Sequence, residues 1–236
     1  MKDLASNSKP IQHDAWDQLL KLHVDSSGWV NYKGFIDDRL ALDNYLDLLS
    51  ANHPNSKNWN ESERLAYWIN AYNAFTVKLI VDNYPTESIK KIKPGIPLIN
   101  SVFDLKFFKI EGVEYSLNNI EHGIIRAKFD EPRIHFAVNC ASFSCPKLSN
   151  EAFCPDKLDQ QLERAASDFV NDSNKNKIQP DQVKLSRILQ WYWGDFKDHY
   201  DSRIDFLNQY STLKINEDAT VGFLNYNWSL NEKIEE

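Results

Sequence analysis

The stretch RIHFAVNCASFSCP, from Arg133 to Pro146, contains the residue types that thiol chemistry requires. A histidine opens a short apolar run, and two of the chain's three cysteines follow it, Cys140 and Cys145. The thiolate is the nucleophile, and it forms near neutral pH only beside a base or a positive charge. The stretch is therefore open to four interpretations: a reactive thiol, a metal site, a disulfide loop, or a core strand followed by small residues.

A base for Cys140 has to come from elsewhere if this stretch is extended. Ile134, Phe136 and Val138 alternate with smaller or polar residues, which predicts a strand in a central position of a sheet. In a strand, five residues place His135 roughly 17 Å from Cys140 and on the opposite face. His135 can then act on Cys140 only if the chain folds back.

A candidate base lies in the preceding stretch SLNNIEHGIIRAKF, which predicts a helix capped by Ser116 or Asn118. A helix joined to a strand by a short turn runs antiparallel to it, so the start of the helix lies near the end of the strand. This arrangement brings Glu121 and His122 toward Cys140. We predict that Cys140 is the nucleophile and that His122 is its base.

Further groups would complete such a site. On a helix, Glu121 points about 100° away from His122, so it either orients the base or pairs with Arg126 or Arg133. The backbone amides of residues 141–144, small residues after the predicted strand, could stabilise an oxyanion.

Two other interpretations use the same residues. A buried cysteine is commonly a small hydrophobe, and a single histidine with a backbone partner is commonly structural. A metal site would use His135, Cys140 and Cys145, with His122 as fourth ligand, but this spacing matches no strong zinc signature. The leading prediction therefore includes no metal and no cofactor, and the metal site stays an alternative. The sequence also lacks Walker, GxGxxG, HExxH and G-x-S-x-G motifs, which excludes the common nucleotide-binding, zincin and serine-hydrolase classes.

The most clearly marked helix covers the stretch NWNESERLAYWINAYNAFTVKLIVDNYP. Asn60 is its N-cap, and Glu63 is the capping-box partner three residues later. Asn70 and Asn73 lie outside the charged stripe of this helix, so both amides need hydrogen-bond partners if the helix is buried. They either tie loops to the helix or line a polar site.

Helices also dominate the rest of the chain. Helical spacing marks four more stretches: HDAWDQLLKLHV, DDRLALDNYLDLLSAN, CPDKLDQQLERAASDFVND and LSRILQWYWGDF. GWVNYKGF predicts a short strand or an extended connection. PGIPLINSVFDLKFFKIEGVEYSL predicts a hairpin around Gly112, and TVGFLNYNWSLN predicts a terminal strand. The pattern predicts an α+β fold: one helix-rich domain, residues 1–236, around a small, mostly antiparallel sheet. Residues 1–12 are predicted to be a flexible N-terminal segment.

Composition narrows the possible partners. Apolar residues make up 42% of the 236 residues and aromatic residues 13%, which is ample for a large core. The net charge is −7, and no stretch combines basic with aromatic residues, so nucleic acid is not an expected partner. No apolar run approaches about eighteen residues, so no membrane span is expected. The start lacks an apolar signal core, which predicts a cytoplasmic protein or one exported after removal of a leader.

Five motifs in order carry a resemblance to a known family: YWINAYNAFTVKLI, SLNNIEHGIIR, RIHFAVNCASFSCPKL, LSRILQWYWGDF and YNWSLN. Over about residues 30–230 the chain resembles the domain of unknown function 547 family. The resemblance implies that the family's shared polar positions correspond to Asn70, Asn73, Glu121, His122, His135 and Cys140. The family pattern also leads us to expect Tyr-Asp-Trp where this chain has Tyr226, Asn227 and Trp228.

The resemblance also implies two general features of fold and chemistry. Family members are similar in pattern to papain-like or transglutaminase-like thiol enzymes, which is a distant, fold-level analogy. Members that resemble fusions with glutaredoxin-like domains imply thiol or glutathione-linked chemistry.

Residues and resemblance together predict a thiol-dependent hydrolase or acyltransferase acting on an amide, peptide or glutathione-like substrate. The predicted catalytic residues are Cys140, His122 and Glu121, and the predicted substrate-binding residues are His135, Asn139, Asn70 and Asn73. The alternative is a non-catalytic binding module with a buried Asn, Glu and His network and the rings of residues 191–193 as an exposed anchor. A His/Cys metal site is the second alternative. A small molecule or peptide is the expected partner, and the oligomeric state is left open.

Overall fold

Helices, most of them short, make up about 48% of the structure, a computed structural model that describes residues 6–93 and 101–233. The first four helices are α1 (Asp14–His23), α2 (Tyr32–Asp37), α3 (Arg39–Ser50) and α4 (Glu61–Val81). The remaining helices are α5 (Leu117–Ile120), α6 (Arg126–Lys128), α7 (Leu158–Asn171), α8 (Ile188–Trp191), α9 (Trp193–Phe196) and α10 (Arg203–Tyr210). The strands are β1 (Phe108–Ile110), β2 (Val113–Tyr115), β3 (Lys177–Gln179), β4 (Gln182–Leu185) and β5 (Thr220–Phe223). Short 3₁₀ helices cover Ile89–Lys91, Val102–Asp104, Pro132–Phe136 and Pro155–Lys157.

Helix α4 lies at the centre of the structure, and its predicted start is confirmed. The Asn60 side chain accepts a hydrogen bond from the Glu63 amide at 2.9 Å, and the Glu63 carboxylate accepts one from the Asn60 amide at 2.6 Å. Almost every residue after the first turn is buried, on all sides of the helix. A helix buried all round cannot be positioned by one apolar stripe alone. Its polar residues, such as Asn70 and Asn73, therefore help to position the segments that pack around it.

The predicted helices before α4 are confirmed as α1 and α3, but the connection between them is not a strand. Val30 makes only isolated bridges, to Val24 and Glu232. Asn31 then caps α2 by accepting a hydrogen bond from the Gly34 amide at 2.9 Å. An N-cap asparagine satisfies a free backbone N–H, which stabilises even a six-residue helix.

Two small sheets account for the strands. β1 and β2 form the predicted hairpin, and its turn has Glu111 at φ 45° and Gly112 at φ 79°, both in the left-handed region. Residues 94–100, which were included in the hairpin stretch, lie outside the described residues. In the second sheet, β3 and β4 pair antiparallel and β5 joins β4 in parallel, with Val183 opposite Val221. The predicted terminal strand is therefore shorter than expected and ends at Phe223.

The predicted central strand through His135 is wrong, because residues 132–136 form a 3₁₀ helix. Pro132 fixes the backbone at its first turn, and Glu131 caps it by accepting a hydrogen bond from the Arg133 amide at 3.0 Å. Phe136 packs into one apolar cluster, while Ile134 packs into the other. Burial on two sides produces an alternating sequence pattern without a strand. The helix ends at Phe136 and the chain turns at Ala137, so the path from His135 to Cys140 is not an extended strand.

The two apolar clusters overlap along the chain, because α7 contributes to both. The larger cluster joins α1–α5, the first hairpin and the start of α7, with Leu158 and Leu162, and the smaller one joins the end of α7 with α8–α10 and the second sheet. Helices and two small, mostly antiparallel sheets confirm the predicted helix-rich α+β class. The boundaries of the single domain stay a prediction.

The N-terminal segment makes specific contacts where it is described. Ser6 donates a hydrogen bond to the Glu111 carboxylate at 2.7 Å, and Ser8 donates one to the carbonyl of His53 at 2.5 Å. These contacts attach Ser6 to the first hairpin and Ser8 to the loop before α4, and the flexibility of residues 1–12 stays a prediction. Residues 1–5 lie outside the described part. None of the described helices has the length and apolar character needed to span a membrane.

Candidate functional site

The predicted catalytic residues line one cleft of about 230 Å³ between the two apolar clusters. Its polar residues are Asn118, Glu121, His122, His135, Cys140 and Cys145. Its apolar and aromatic walls are formed by Tyr72, Phe103, Val138, Pro146, Ile188, Trp191, Tyr192, Tyr226 and Trp228. The cleft therefore combines two thiols, two imidazoles and a carboxyl group with predominantly aromatic walls, a common composition for ligand sites.

Cys140 lies in a tight turn that buried amide side chains hold in place. Ala141, the next residue, has φ 59°, in the left-handed region that non-glycine residues seldom adopt. The Asn139 side chain accepts a hydrogen bond from the Ala141 amide at 2.8 Å and donates one to the Pro146 carbonyl at 2.6 Å. These contacts keep Cys140 at a fixed place in the cleft. Backbone strain of this kind is concentrated at functional sites.

Asn73 extends this support from helix α4. Its amide donates to the Ala137 carbonyl at 2.9 Å, and its oxygen accepts from the Asn139 amide at 2.8 Å. Asn70 makes the same type of pair with both backbone groups of Phe153, at 2.8 and 3.0 Å. Neither residue lines the cleft, and Asn139 faces a neighbouring polar cleft instead. The structure therefore places these three predicted substrate-binding residues as anchors of the loops around Cys140.

The Cys140 thiol has two hydroxyl groups among its hydrogen-bond partners. Its Sγ lies 3.2 Å from Ser142 Oγ and 3.4 Å from the Tyr226 hydroxyl, and these two oxygens lie 3.0 Å apart. Hydrogen bonding with the Cys145 thiol, with Ser142 and with Tyr226 lowers the pKa of Cys140, against the opposing effect of burial. Burial raises the pKa of Tyr226, so its hydroxyl keeps its proton. Both hydroxyls can therefore donate to a thiolate.

His135 is the most firmly oriented histidine of the cleft. Its Nε2 lies 2.7 Å from Asp195 Oδ2, and its ring stacks on Tyr192 with 4.0 Å between centroids. Arg126 donates to both Asp195 oxygens, at 2.5 and 2.8 Å. Hydrogen bonds from His135 and Arg126 hold the pKa of Asp195 well below its usual range.

The protonation of His135 follows from these contacts. A charged carboxylate only accepts hydrogen bonds, so the His135 proton must be on Nε2. Burial, the main cause, lowers the pKa of His135, although Asp195 opposes this effect. Nδ1 is therefore the unprotonated nitrogen of a neutral ring.

His122 and Glu121 lie on a helix that changes its pitch at these residues. Between α5 and α6 the backbone forms a π-helical turn over Glu121–Ile125, a feature frequent at functional sites. The predicted Ser116 cap is confirmed, since Ser116 Oγ accepts from the Asn119 amide at 3.1 Å. His122 Nδ1 lies 3.0 Å from the Arg126 guanidinium. Because arginine only donates, Nδ1 is the acceptor and the His122 proton is on Nε2.

The shortest contact of Glu121 is with a partner that we did not expect, although its Oε1 also lies 3.9 Å from His122 Nδ1. Its carboxylate accepts a hydrogen bond from the Tyr192 hydroxyl at 2.7 Å. Arg126 pairs with Asp195 instead, and Arg133 pairs with Glu131 at 2.6 Å. Glu121 is buried, so this bond holds the ring on which His135 stacks.

The predicted oxyanion cradle of residues 141–144 is largely wrong, because most of these backbone amides already donate hydrogen bonds within the protein. Ala141 donates to the Asn139 side chain at 2.8 Å. Phe143 donates to the Ser229 carbonyl at 2.7 Å, and the Ser144 amide donates to the Asn227 carbonyl at 3.1 Å. The C-terminal segment thus accepts from the amides of Phe143 and Ser144 by pairing beside the turn.

Sequence reasoning missed three polar residues of this site: Ser142, Asp195 and Tyr226. Asp195 follows an aromatic run in WYWGDF, where an acidic residue beside buried rings could have suggested a buried partner. Tyr226 belongs to a motif that we singled out, but its hydroxyl could not be placed without knowing where the C-terminal segment packs. Ser142 was considered only for its backbone amide.

The metal alternative has no geometric support in this structure. Among residues 6–93 and 101–233, no three His, Cys, Asp or Glu side chains are grouped so that they could hold a metal ion. The proposed ligand set of His122, His135, Cys140 and Cys145 therefore does not form a ligand cluster, although all four line the cleft.

Fold and cleft together define an α+β protein with a cysteine and two histidines in an aromatic-walled cleft. A family model described as "Protein of unknown function, DUF547" matches residues 56–170, which supports the assignment of the chain to this family. The match covers fewer residues than the predicted resemblance over residues 30–230. It includes Cys140 and both histidines of the cleft but neither Asp195 nor Tyr226. No curated protein and no solved structure matches the chain. The likeness to papain-like or transglutaminase-like enzymes stays a prediction.

Proposed function

We propose that the protein is a thiol-dependent hydrolase or acyltransferase in which Cys140 is the nucleophile. The observation that carries this proposal is the contact of the Cys140 thiol with two hydroxyl groups inside a cleft that also contains two histidines. These hydrogen bonds favour the thiolate, which is the form that attacks a carbonyl carbon. The substrate class remains an amide, peptide or glutathione-like compound.

His135 supports the role of base better than His122 does. Its Nε2 is committed to Asp195, so Nδ1 is the nitrogen that can take a proton. The Nδ1 of His122 accepts from Arg126, so its other nitrogen presents a proton to its surroundings. We therefore assign His135 as base, Asp195 as its orienting group, and His122 as a hydrogen-bond donor to the substrate oxygen. This exchanges the roles that the sequence suggested for the two histidines.

The reaction that follows from this assignment has two stages. Cys140 gives its proton to His135, its Sγ bonds to the substrate carbonyl carbon, and the carbonyl electron pair moves to the oxygen. The amine leaves with the proton from His135, which produces an acyl-cysteine. Water or another acceptor, deprotonated by His135, then attacks the acyl carbon and releases Cys140. Among the described residues no hydrogen bond joins Cys140 to either histidine, so this contact has to form when substrate binds.

The first experiment is the pH dependence of iodoacetamide labelling at Cys140, with Cys154 as internal reference. We expect Cys140 to react faster than Cys154 in the native protein, with an apparent pKa below the ordinary value of about 8.5 for a free thiol. The variants His135→Gln and His122→Gln each remove one histidine of the cleft, and His199→Gln is their matched control. His199 also bonds an aspartate, Asp130, at 2.8 Å, but it does not line the cleft.

The second experiment tests acyl transfer itself with p-nitrophenyl acetate. An acetyl group should appear on Cys140 by mass spectrometry, and Cys140→Ser should abolish it, while Cys154→Ser should not. His135→Gln should slow acylation far more than His199→Gln. Native Cys140 that labels no faster than Cys154, together with no acetylated enzyme, would overturn the proposal.

A binding module is the second candidate, because one aromatic ring at the cleft is exposed. Trp191 is 49% exposed and packs against Tyr226, with 4.9 Å between ring centroids. Exposed tryptophan rings are frequent anchors in interfaces. The two candidates differ in one measurement: a binding module would keep its affinity for a ligand in Cys140→Ser, whereas acyl transfer would be lost.

A further inference from the structure

Cys140 and Cys145 are brought together by the same tight turn. The Cys140 amide donates a hydrogen bond to Cys145 Sγ at 3.0 Å. The turn closes because Ala141 is left-handed and the Cys145 amide donates to the Ser142 carbonyl at 3.0 Å. Within one cysteine, N and Sγ are separated by only three bonds. The two sulfurs are therefore no further apart than this side-chain span plus one hydrogen bond.

The two thiols have different environments. Cys140 is partly exposed to the cleft and has two hydroxyl partners. Cys145 is buried, and its sulfur lies 3.9 Å from the Val138 carbonyl. Burial raises the pKa of Cys145, whereas hydrogen bonding lowers that of Cys140. A peroxide should therefore react first with Cys140, since the accessible thiolate is the group that attacks the peroxide oxygen.

Cys154 offers no comparable partner. Its sulfur lies 3.5 Å from the Ala152 carbonyl, and its amide donates to the Gln161 side chain at 2.8 Å. It does not line the cleft that contains the other two cysteines. It is thus an internal reference for any chemistry that depends on the turn.

We propose that Cys140 and Cys145 form a reversible disulfide when the protein meets a hydroperoxide. In the first step the Cys140 thiolate attacks hydrogen peroxide, the O–O bond breaks, and Cys140 sulfenic acid and water form after uptake of one proton. In the second step the Cys145 sulfur displaces the hydroxyl group of the sulfenic acid. The proton of Cys145 leaves with this hydroxyl as a second water, and the S–S bond forms. Peroxide is reduced and the two thiols are oxidised.

This inference requires a reactive Cys140 but not acyl transfer. Disulfide formation would remove the nucleophile from the cleft, and reduction by a thiol would restore it. It would also prevent irreversible oxidation of Cys140 to the sulfinic acid. A failure of the acyl-transfer experiment would leave the disulfide possible, and a missing disulfide would leave acyl transfer possible.

The experiment is peroxide treatment of the reduced full chain, followed by alkylation and tryptic peptide mass analysis. Trypsin places Cys140 and Cys145 together in residues 134–147 and Cys154 separately in residues 148–157. We expect the first peptide to lose two hydrogen atoms and to escape alkylation, while the second is alkylated normally. Dithiothreitol should restore alkylation of both cysteines. Native labelling of Cys140 by iodoacetamide should be lost and recovered in parallel.

Two variants separate this mechanism from other oxidations. Cys145→Ser should leave a Cys140 sulfenic acid that dimedone traps and that excess peroxide converts to the sulfinic acid. Cys154→Ser should behave like the native chain. A persistent sulfenic acid in the native chain would overturn the proposal, as would a bridge from Cys154 or an unmodified 134–147 peptide. The result with the native chain tests the proposal even if a variant fails to fold.

Discussion

Removal of the Tyr226 hydroxyl should make the Cys140 thiol a weaker acid. In Tyr226→Phe the thiolate loses one of its two hydroxyl donors, and Ser142 remains as the other. A hydrogen bond to a charged group contributes about 1.5–3 kcal/mol. The distance of 3.4 Å and the shared contact with Ser142 place this bond near the lower end. About 1.5 kcal/mol corresponds to a rise of about one unit in the pKa of Cys140.

The assay is the rate of iodoacetamide labelling of Cys140 against pH in native protein and in Tyr226→Phe. The midpoint of the profile should move upward by about one unit, while the plateau at high pH should stay similar, because the thiolate itself is unchanged. Tyr210→Phe is the matched control, since this tyrosine donates to Glu163 at 3.1 Å and has no contact with Cys140. An unmoved midpoint in a folded Tyr226→Phe protein would refute the role of this hydroxyl.

Four further predictions concern the supports of the site and of the fold. Asp195→Asn should reverse the tautomer of His135 and slow acylation by about 10²–10⁴, measured with p-nitrophenyl acetate, without loss of fold; an unchanged rate would remove His135 as base. Asn73→Leu leaves two buried backbone groups unpaired and should lower the free energy of unfolding by about 2–5 kcal/mol in urea titration. Burial lowers the pKa of His13 from 6.5 to about 4. The unfolded chain therefore binds more protons between these pH values, and stability should fall by about 3 kcal/mol on acidification, but not in His13→Gln. Asn60→Ala should cost about 1 kcal/mol, detectable as a lower Tm.

Local sequence signals predicted the helices well. The capping box at Asn60, the Ser116 cap and the helical spacing before α4 correspond to elements of the structure. Each depends on hydrogen bonds or side-chain contacts within a few residues, which sequence displays directly. The α+β class follows from the same signals.

The segment around His135 shows where such signals stop. Its alternation of apolar residues suggested a strand, but the alternation reflects packing into two separate clusters. A strand would place His135 on the opposite face from Cys140, which favours His122 as base, whereas His135 and Cys140 line the same cleft. Apolar periodicity indicates that a side chain is buried, but it does not indicate which part of the chain that side chain packs against.

The sequence by itself therefore determined the helices, the α+β class and the residues with chemical potential, because these depend on residue type and short-range spacing. Only the tertiary structure decided how those residues are used. Asp195 lies 60 residues from His135, and Tyr226 lies 86 residues from Cys140. Such contacts form when distant segments bury their apolar surfaces together, so their partners cannot be read from local patterns. The tautomer of His135 depends on its contact with Asp195. The tautomer of His122 depends on Arg126, which Asp195 holds in place.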